Sequence, residues 1–219
     1  MDPSLHFSTH CEKAASKANR LVGLIRRSFS YLDGKMLTQL FKAIVRPHIE
    51  YANVVWSPQY AKDATLIENV QRRATRLVPE LRGLEYEERL RALKLPSLLY
   101  RRWRGDLIEA YKYLHNVYRV KNSLLPLSDN TNTRGHSKKV KKSGFRLDCR
   151  RKFFSTRIIN QWNALPKTVA EAPSLNSFKG RLDRFLSSQM YSISFPLPVV
   201  RGVAAVETQS ESDIDNEEQ

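Results

Sequence analysis

LYRRWRGDLIEAYKYL, residues 99–114, is the stretch of this sequence with the clearest structural pattern. Its apolar residues recur at steps of three and four, a period that places them on one face of an α-helix. These residues are Leu99, Trp103, Leu107, Ala110 and Leu114, and the other face carries Arg101, Arg102 and Arg104. The stretch therefore predicts an amphipathic helix with an apolar side toward a core and a basic side toward solvent.

Similar helical patterns extend on both sides of this stretch. Upstream they run from about residue 9 to 29, from Gly34 to a stop or kink at Pro47, from Ser57-Pro58 to Pro79, and briefly before Pro96. Downstream they cover residues 150–162 and 175–186, with Ser174 as an N-cap. Strand-like alternation is hard to find. The sequence predicts an all-α fold, an irregular multi-helix bundle.

Composition divides the chain into four parts. Residues 1–120 form a helical domain, and residues 121–148 form a polar linker rich in Asn, Ser, Thr and Lys that we expect to be mobile. Residues 149–190 form a second helical segment. Residues 191–219 have too little apolar content to bury a core, so we expect a disordered acidic tail.

The charge balance points to a polyanionic partner. The sequence has 37 Lys and Arg residues against 22 Asp and Glu residues, a net charge of +15. Six of the acids lie beyond Arg201, the last basic residue, so the preceding body carries 37 basic and 16 acidic residues, a net +21. A body this basic repels copies of itself unless an anion is bound, and RNA or DNA is the expected partner.

The cysteine content and hydropathy bear on the compartment. Cys11 and Cys149 cannot build a disulfide framework, which favours a reducing environment. No run approaches the roughly 20 apolar residues of a spanning helix, and the first residues lack a leader pattern. We expect an intracellular protein, nuclear or cytoplasmic, with no membrane association and no small-molecule substrate.

Basic clusters are the candidate nucleic-acid contacts, since Arg and Lys neutralise phosphates and release counterions. They comprise Arg72, Arg73, Arg76, Arg101, Arg102, Arg104, Lys138, Lys139, Lys141, Lys142, Arg150 and Arg151. Each cluster also has a simpler interpretation as a solvated helix face, and Glu68 could pair with Arg72 four residues on. The lysine run could equally be a nuclear-import patch.

Other candidate sites are weaker. Trp103, Trp162, Phe153 and Phe154 could stack on bases, but each lies on an apolar stripe where core packing is the usual role. His6, His10 and Cys11 have a spacing that could hold a metal, although no fourth ligand is evident. The sequence predicts no cofactor and no metal site of its own.

Several stretches, in order, resemble the region that follows the palm in jockey-like non-LTR (LINE-type) retrotransposon reverse transcriptases. The resemblance covers roughly residues 4–190 and rests on short motifs in sequence order. They include ANRLVGLIRR at 18–27, RPHIEYANVVW at 46–56, QRRATRL at 71–77, YEERL at 86–90, LPSL at 95–98, RWRGDL at 102–107, TRGHS at 133–137, FFSTR at 153–157, WNALP at 162–166 and APSLNSF at 172–178.

The resemblance implies a fragment of an RNA-directed DNA polymerase. In that family, endonuclease, fingers and palm precede this thumb-like region, which holds template and primer. The palm holds Mg²⁺ on acidic residues that normally include an adjacent Asp pair. This sequence contains no Asp-Asp step. We therefore expect a non-catalytic region that grips the nucleic-acid backbone and whose partners include the upstream palm and fingers.

Two alternatives remain open at this point. The helices could form a protein-interaction module in which arginines only keep the surface soluble. The chain could also be an inert retroelement relic whose apolar faces once packed on a palm.

Overall fold

The computed structural model of the protein describes residues 7–120, 124–129, 135–142, 144 and 148–194. The regular elements in these ranges are helices, and the β structure there is one isolated antiparallel bridge between Leu127 and Val140. The all-α prediction is confirmed. The expected acidic tail lies, from residue 195 onward, outside the described residues.

Twelve α-helices are labelled in chain order. They are α1 (Ser8–Ser28), α2 (Gly34–Leu40), α3 (Arg46–Glu50), α4 (Asn53–Trp56), α5 (Ala61–Thr75), α6 (Tyr86–Ala92), α7 (Leu98–Leu114), α8 (Asp148–Arg151), α9 (Phe154–Arg157), α10 (Ile159–Asn163), α11 (Lys167–Ala170) and α12 (Leu175–Phe185). One short 3₁₀ turn, Pro79–Leu81, lies between α5 and α6, and another, Ser187–Gln189, follows α12. Among the described residues, each helix is either too short or too polar to span a bilayer.

The helix expected to stop or kink at Pro47 continues one turn past it. A π-helical turn, Phe41–Val45, joins α2 to α3, and Pro47 lies in the first turn of α3. Proline is tolerated in a first turn because its missing N–H needs no partner there, and a π turn absorbs the local misfit. Phe41 and Ile49 stay fully buried on one side of the junction.

Two buried apolar clusters organise the fold. The first is built from residues 11–98 and centres on α1 packed against α5, with Val22, Ile67 and Val70 almost fully buried. The second is built from residues 100–186 and contains Trp162, Phe178 and Leu182, all with no exposed surface. Helix α7 begins at the first cluster and supplies a large part of the second.

Two described residues of the predicted linker belong to the second cluster. Leu125 and Val140 are buried in it, and His136 is also buried, with its Nε2 3.1 Å from the carbonyl oxygen of Trp162. Ser128 N–H donates to the Lys139 carbonyl, which holds the two parts together. Sparse apolar side chains in a polar stretch are therefore enough to pack part of the predicted linker against the second cluster, and its expected mobility stays a prediction.

The buried carboxylate of Glu68 fixes the start of α7. It accepts hydrogen bonds from the amides of Leu98 and Leu99, at 3.2 and 3.1 Å, and from the Tyr86 hydroxyl at 2.7 Å. A carboxylate at a helix N-terminus satisfies free amides and interacts favourably with the helix dipole. This side chain on α5 therefore joins α5, α6 and α7, in place of the Glu68–Arg72 pair that the sequence left open.

We predict that Glu68→Gln lowers the free energy of unfolding by about 2–4 kcal/mol, because an amide cannot accept all three bonds and leaves a buried donor unpaired. Urea denaturation measures the change. The matched control is Glu87→Gln, which removes an exposed ion pair to Arg91 and should cost less than about 0.5 kcal/mol. Equal costs for the two variants would contradict the role given to Glu68.

We also predict that the protein loses stability as the pH falls below about 6.5. Burial lowers the pKa of His136 from its ordinary value of 6.5, so the unfolded chain binds more protons below that pH. His136→Gln keeps a donor for Trp162 and should flatten the decline between pH 7 and 5. Urea midpoints measure this; above pH 7.5 the two curves should run parallel, and an unchanged slope below pH 7 would refute the assignment.

Candidate nucleic-acid interface

The C-terminal end of α5 presents three of the predicted arginines to one side of the molecule. Ile67, Val70 and Ala74 hold the other side of α5 in the first cluster. Arg73 is exposed, as is Arg76, which follows the last residue of the helix. Arg72 is half-buried, with its guanidinium 4.8 Å from the centre of the Tyr86 ring. Cations are favourable at this end of the helix dipole.

Two further arginines complete a groove between α1 and the end of α5. Arg26, in the last turn of α1, and Arg82, beyond the 3₁₀ turn, line the same concavity, which has a volume of about 740 Å³. We call this concavity the arginine groove, defined by Arg26, Arg72, Arg73, Arg76 and Arg82. Asn19 and Asn69 add amide groups to its wall.

The arginine groove is strongly positive. Within the part of the chain that the structure describes, none of its five guanidinium groups lies within 4 Å of a carboxylate oxygen. The positive charge of the groove also affects its buried neighbour Arg89. Burial is the main cause that lowers the pKa of Arg89, and the positive charges of Arg76 and Arg72 lower it further. Uncompensated cations at one concave surface attract polyanions.

Sequence reasoning missed Arg26 and Arg82. Arg82 stands apart from other arginines in the sequence and Arg26 has one arginine neighbour, and the position of both at the groove depends on the packing of α1 against α5. The sequence signal that could have found Arg26 is its place in the last turn of the first predicted helix, one residue before another arginine. Nothing local marks Arg82.

The arginines of α7 do not form the exposed face that was predicted. Arg101 makes a two-bond ion pair with Glu50 of α3, with Nη2 2.8 Å from Oε2, and Arg104 makes the same kind of pair with Asp183 of α12. Arg102 is buried, with 7 % of its surface exposed. The prediction of a solvent-facing basic side is wrong because distant carboxylates pair with two of the cations.

The lysine run and α8 show mixed environments. Lys138 is half-buried and its Nζ donates to the Leu114 carbonyl at 3.2 Å, and Lys141 pairs with Asp129. Lys139 is half-buried and Lys142 is exposed. In α8, Arg150 and Arg151 are both exposed, and the Arg150 guanidinium lies 5.3 Å from the centre of the Phe153 ring. The structure does not bring these residues to the arginine groove, and their role in binding stays a prediction.

The structure also places the residues considered for base stacking and for metal binding. Trp162 is buried in the second cluster, and Trp103, Phe153 and Phe154 are half-buried. Cys11 is fully buried, and burial raises the pKa of its thiol to about 12, so it is a poor metal ligand. His6 lies outside the described residues. Among those that are described, no three His, Cys, Asp or Glu residues gather where they could hold a metal ion.

Comparison with protein-family models, curated proteins and solved structures gives no match to this chain. The likeness to the post-palm region of non-LTR reverse transcriptases therefore stays an expectation from the quoted motifs.

We predict that the Arg101–Glu50 pair stabilises the fold. A double-mutant cycle of Arg101→Gln and Glu50→Gln should give a coupling energy of about 0.5–1 kcal/mol, since both side chains are less than one third exposed and the geometry is bidentate. Urea denaturation of the four proteins measures it. Additive single effects would show that the pair does not hold α7 to α3.

Proposed function

We propose that this chain is a helical nucleic-acid-binding module that holds the phosphate backbone in the arginine groove. The observation that carries the proposal is the convergence of five arginines from three separate segments without a carboxylate partner among the described residues. Guanidinium groups match phosphate oxygens with two parallel hydrogen bonds, and each neutralised phosphate releases counterions.

The groove favours backbone contact over base readout. Base recognition in a duplex needs a helix or strand that enters a groove of the nucleic acid and carries side chains reaching base edges. The arginine groove is itself concave, and it is lined by arginines, two asparagines and a few apolar residues. Binding through phosphates alone gives weak sequence preference and steep dependence on salt.

The family resemblance supplies the wider setting of the proposal. The motifs quoted above resemble the region that holds primer and template downstream of a reverse-transcriptase palm. In this setting the palm and fingers are the protein partners, the module works inside the cell on RNA, DNA or their hybrid, and Mg²⁺ chemistry belongs to the palm. The chain itself is assigned no catalytic residue, since its sequence has no adjacent Asp pair.

We predict that the full chain binds a labelled RNA–DNA primer–template with an affinity that falls about 10²–10³-fold between 50 and 200 mM salt, as expected for about five phosphate contacts. Arg26→Gln, Arg73→Gln and Arg76→Gln combined should reduce the slope of log K against log salt by about 2.7 on a duplex. Fluorescence anisotropy measures both quantities. Arg72 and Arg82 are left in place because they also contact Tyr86 and the Arg76 carbonyl.

The matched control removes the same three charges elsewhere. Lys13→Gln, Lys35→Gln and Lys42→Gln alter exposed residues that do not line the arginine groove. For this control, the slope of log K against log salt should differ from the wild-type slope by less than about 0.9, the contribution of one phosphate contact. An equal loss in both triple variants would mean that only net charge matters, and binding that ignores salt would remove the phosphate-contact mechanism.

A further inference from the structure

Six acidic residues of the sequence follow its last basic residue, Arg201. They are Glu207, Glu211, Asp213, Asp215, Glu217 and Glu218. We call residues 207–218, which lie outside the described residues, the acidic segment. Half of its residues are acidic, and no Lys or Arg within it offsets this charge. The acidic segment is therefore a polyanion covalently attached to a basic body.

The arginine groove carries the complementary charge. Its five guanidinium groups have no carboxylate oxygen within 4 Å among the described residues, and the described residues that line it include no Asp or Glu. Arg73 and Arg76 are exposed, so an anion can approach them from solvent. Opposite charges gathered on two parts of one chain attract each other, and added salt weakens this attraction.

The described residues just before residue 195 are held against the body of the protein. The Ser97 amide donates to the Met190 carbonyl at 3.0 Å, and the Ser97 hydroxyl donates to the Ser192 carbonyl at 2.7 Å. The Arg91 guanidinium lies 5.8 Å from the centre of the Tyr191 ring, which packs against the first cluster. These contacts fix the path of the chain across the start of α7.

This path leads to the edge of the arginine groove. Ile193 is half-buried and lines a small void of about 40 Å³ together with Asn69 and Arg72 of α5. Asn69 and Arg72 also line the arginine groove. Arg76 lies only about 10 Å further along the helix axis than Asn69, at a rise of about 1.5 Å per residue. The chain therefore passes beside the groove shortly before the acidic segment begins.

The length of the connection lets the acidic segment reach the whole groove. Glu207 follows Ser194 by 13 residues, and an extended chain spans at most about 3.3–3.6 Å per residue, or about 45 Å in total. This span is several times the distance from Asn69 to Arg76. A ligand tethered this close to its site has an effective concentration on the order of 1 mM.

We propose that the acidic segment docks in the arginine groove of its own chain and competes there with nucleic acid. The competition rests on the proposed function, whereas the docking rests on the complementary charges and on the path of the chain. A nucleic acid displaces the segment only when it contacts enough of the arginines at once. Ligands that make few phosphate contacts are then excluded, since specificity is a difference between competing affinities.

The test uses the full chain with the charges of the acidic segment removed. This amide variant combines Glu207→Gln, Glu211→Gln, Asp213→Asn, Asp215→Asn, Glu217→Gln and Glu218→Gln. Two backgrounds locate any effect. The groove background carries Arg26→Gln, Arg73→Gln and Arg76→Gln, and the lysine background carries Lys13→Gln, Lys35→Gln and Lys42→Gln, which alter exposed residues away from the groove.

A synthetic peptide of residues 203–219 measures docking directly, with the amide variant as recipient so that its own segment does not compete. About tenfold competition within one chain requires a Kd on the order of 0.1 mM for the separate peptide at 50 mM salt. Calorimetry should show binding at least about tenfold weaker in the groove background, because three ion pairs are lost. The lysine background should change Kd less than about threefold. Equal weakening in both backgrounds would overturn the docking.

Fluorescence anisotropy with the RNA–DNA primer–template measures the competition. The amide variant should bind about tenfold more tightly than the wild type at 50 mM salt, and this gain should shrink as salt screens the docked segment. Removing the acids also raises the net charge from 37 − 22 = +15 to 37 − 16 = +21. The two backgrounds separate the causes: the gain should fall below about twofold in the groove background and stay about tenfold in the lysine background.

The outcomes distinguish this inference from the proposed function. An equal gain in both backgrounds would overturn the inference, because net charge alone would explain it. If the amide variant binds the primer–template through the groove no more tightly than the wild type, the inference fails and the proposed function stands. If the peptide binds the groove while every form of the protein ignores nucleic acid, the docking stands and the proposed function fails.

Sedimentation velocity separates docking within one chain from exchange between copies. Replacement of the six acids should leave the oligomeric state unchanged. Dimers that form in the wild type and disappear in the amide variant would place the acidic segment in the groove of a second copy, and they would overturn docking within one chain.

Discussion

The buried carboxylate of Glu68 sets the position of α7, and most of the remaining architecture follows from that position. A helix of 17 residues that starts with its amides tied to α5 must cross from the first apolar cluster into the second. Three carboxylate–arginine pairs then fix its course: Glu50 with Arg101, Asp183 with Arg104, and Asp106 with Arg157. The helix is therefore held at its start by capping and along its length by charge.

This arrangement divides the basic residues by what surrounds them. Two of the three arginines near the start of α7 are neutralised within the fold, whereas those around the end of α5 have no acid within reach among the described residues. Net charge alone does not distinguish the two groups, since every arginine contributes equally to the total of +15. The distinction depends on which helices the carboxylates occupy, and it decides which cations can meet an external anion.

The local sequence pattern was enough to predict the helices, but it could not predict the ion pairs between distant residues. The spacing of Leu99, Trp103 and Leu107 predicts α7 because helical periodicity is a property of adjacent turns. The partners of Arg101 and Arg104 lie 51 and 79 residues away, and no local signal connects them. For the same reason the sequence does not place Arg26 in the arginine groove, and it does not show that Leu125 and Val140 of the predicted linker pack in the second cluster.

Burial separates the arginines of the arginine groove from Arg102, although the residue type is the same. Arg73 and Arg76 are exposed in the groove, where their guanidinium groups are open to solvent. Arg102 is 93 % buried, and its Nη1 and Nη2 atoms have almost no accessible surface. An ion in solution can interact directly with the first group and not with Arg102, and the attraction between opposite charges is screened most where water has access. Burial rather than residue type therefore decides which of these cations are available to an external anion.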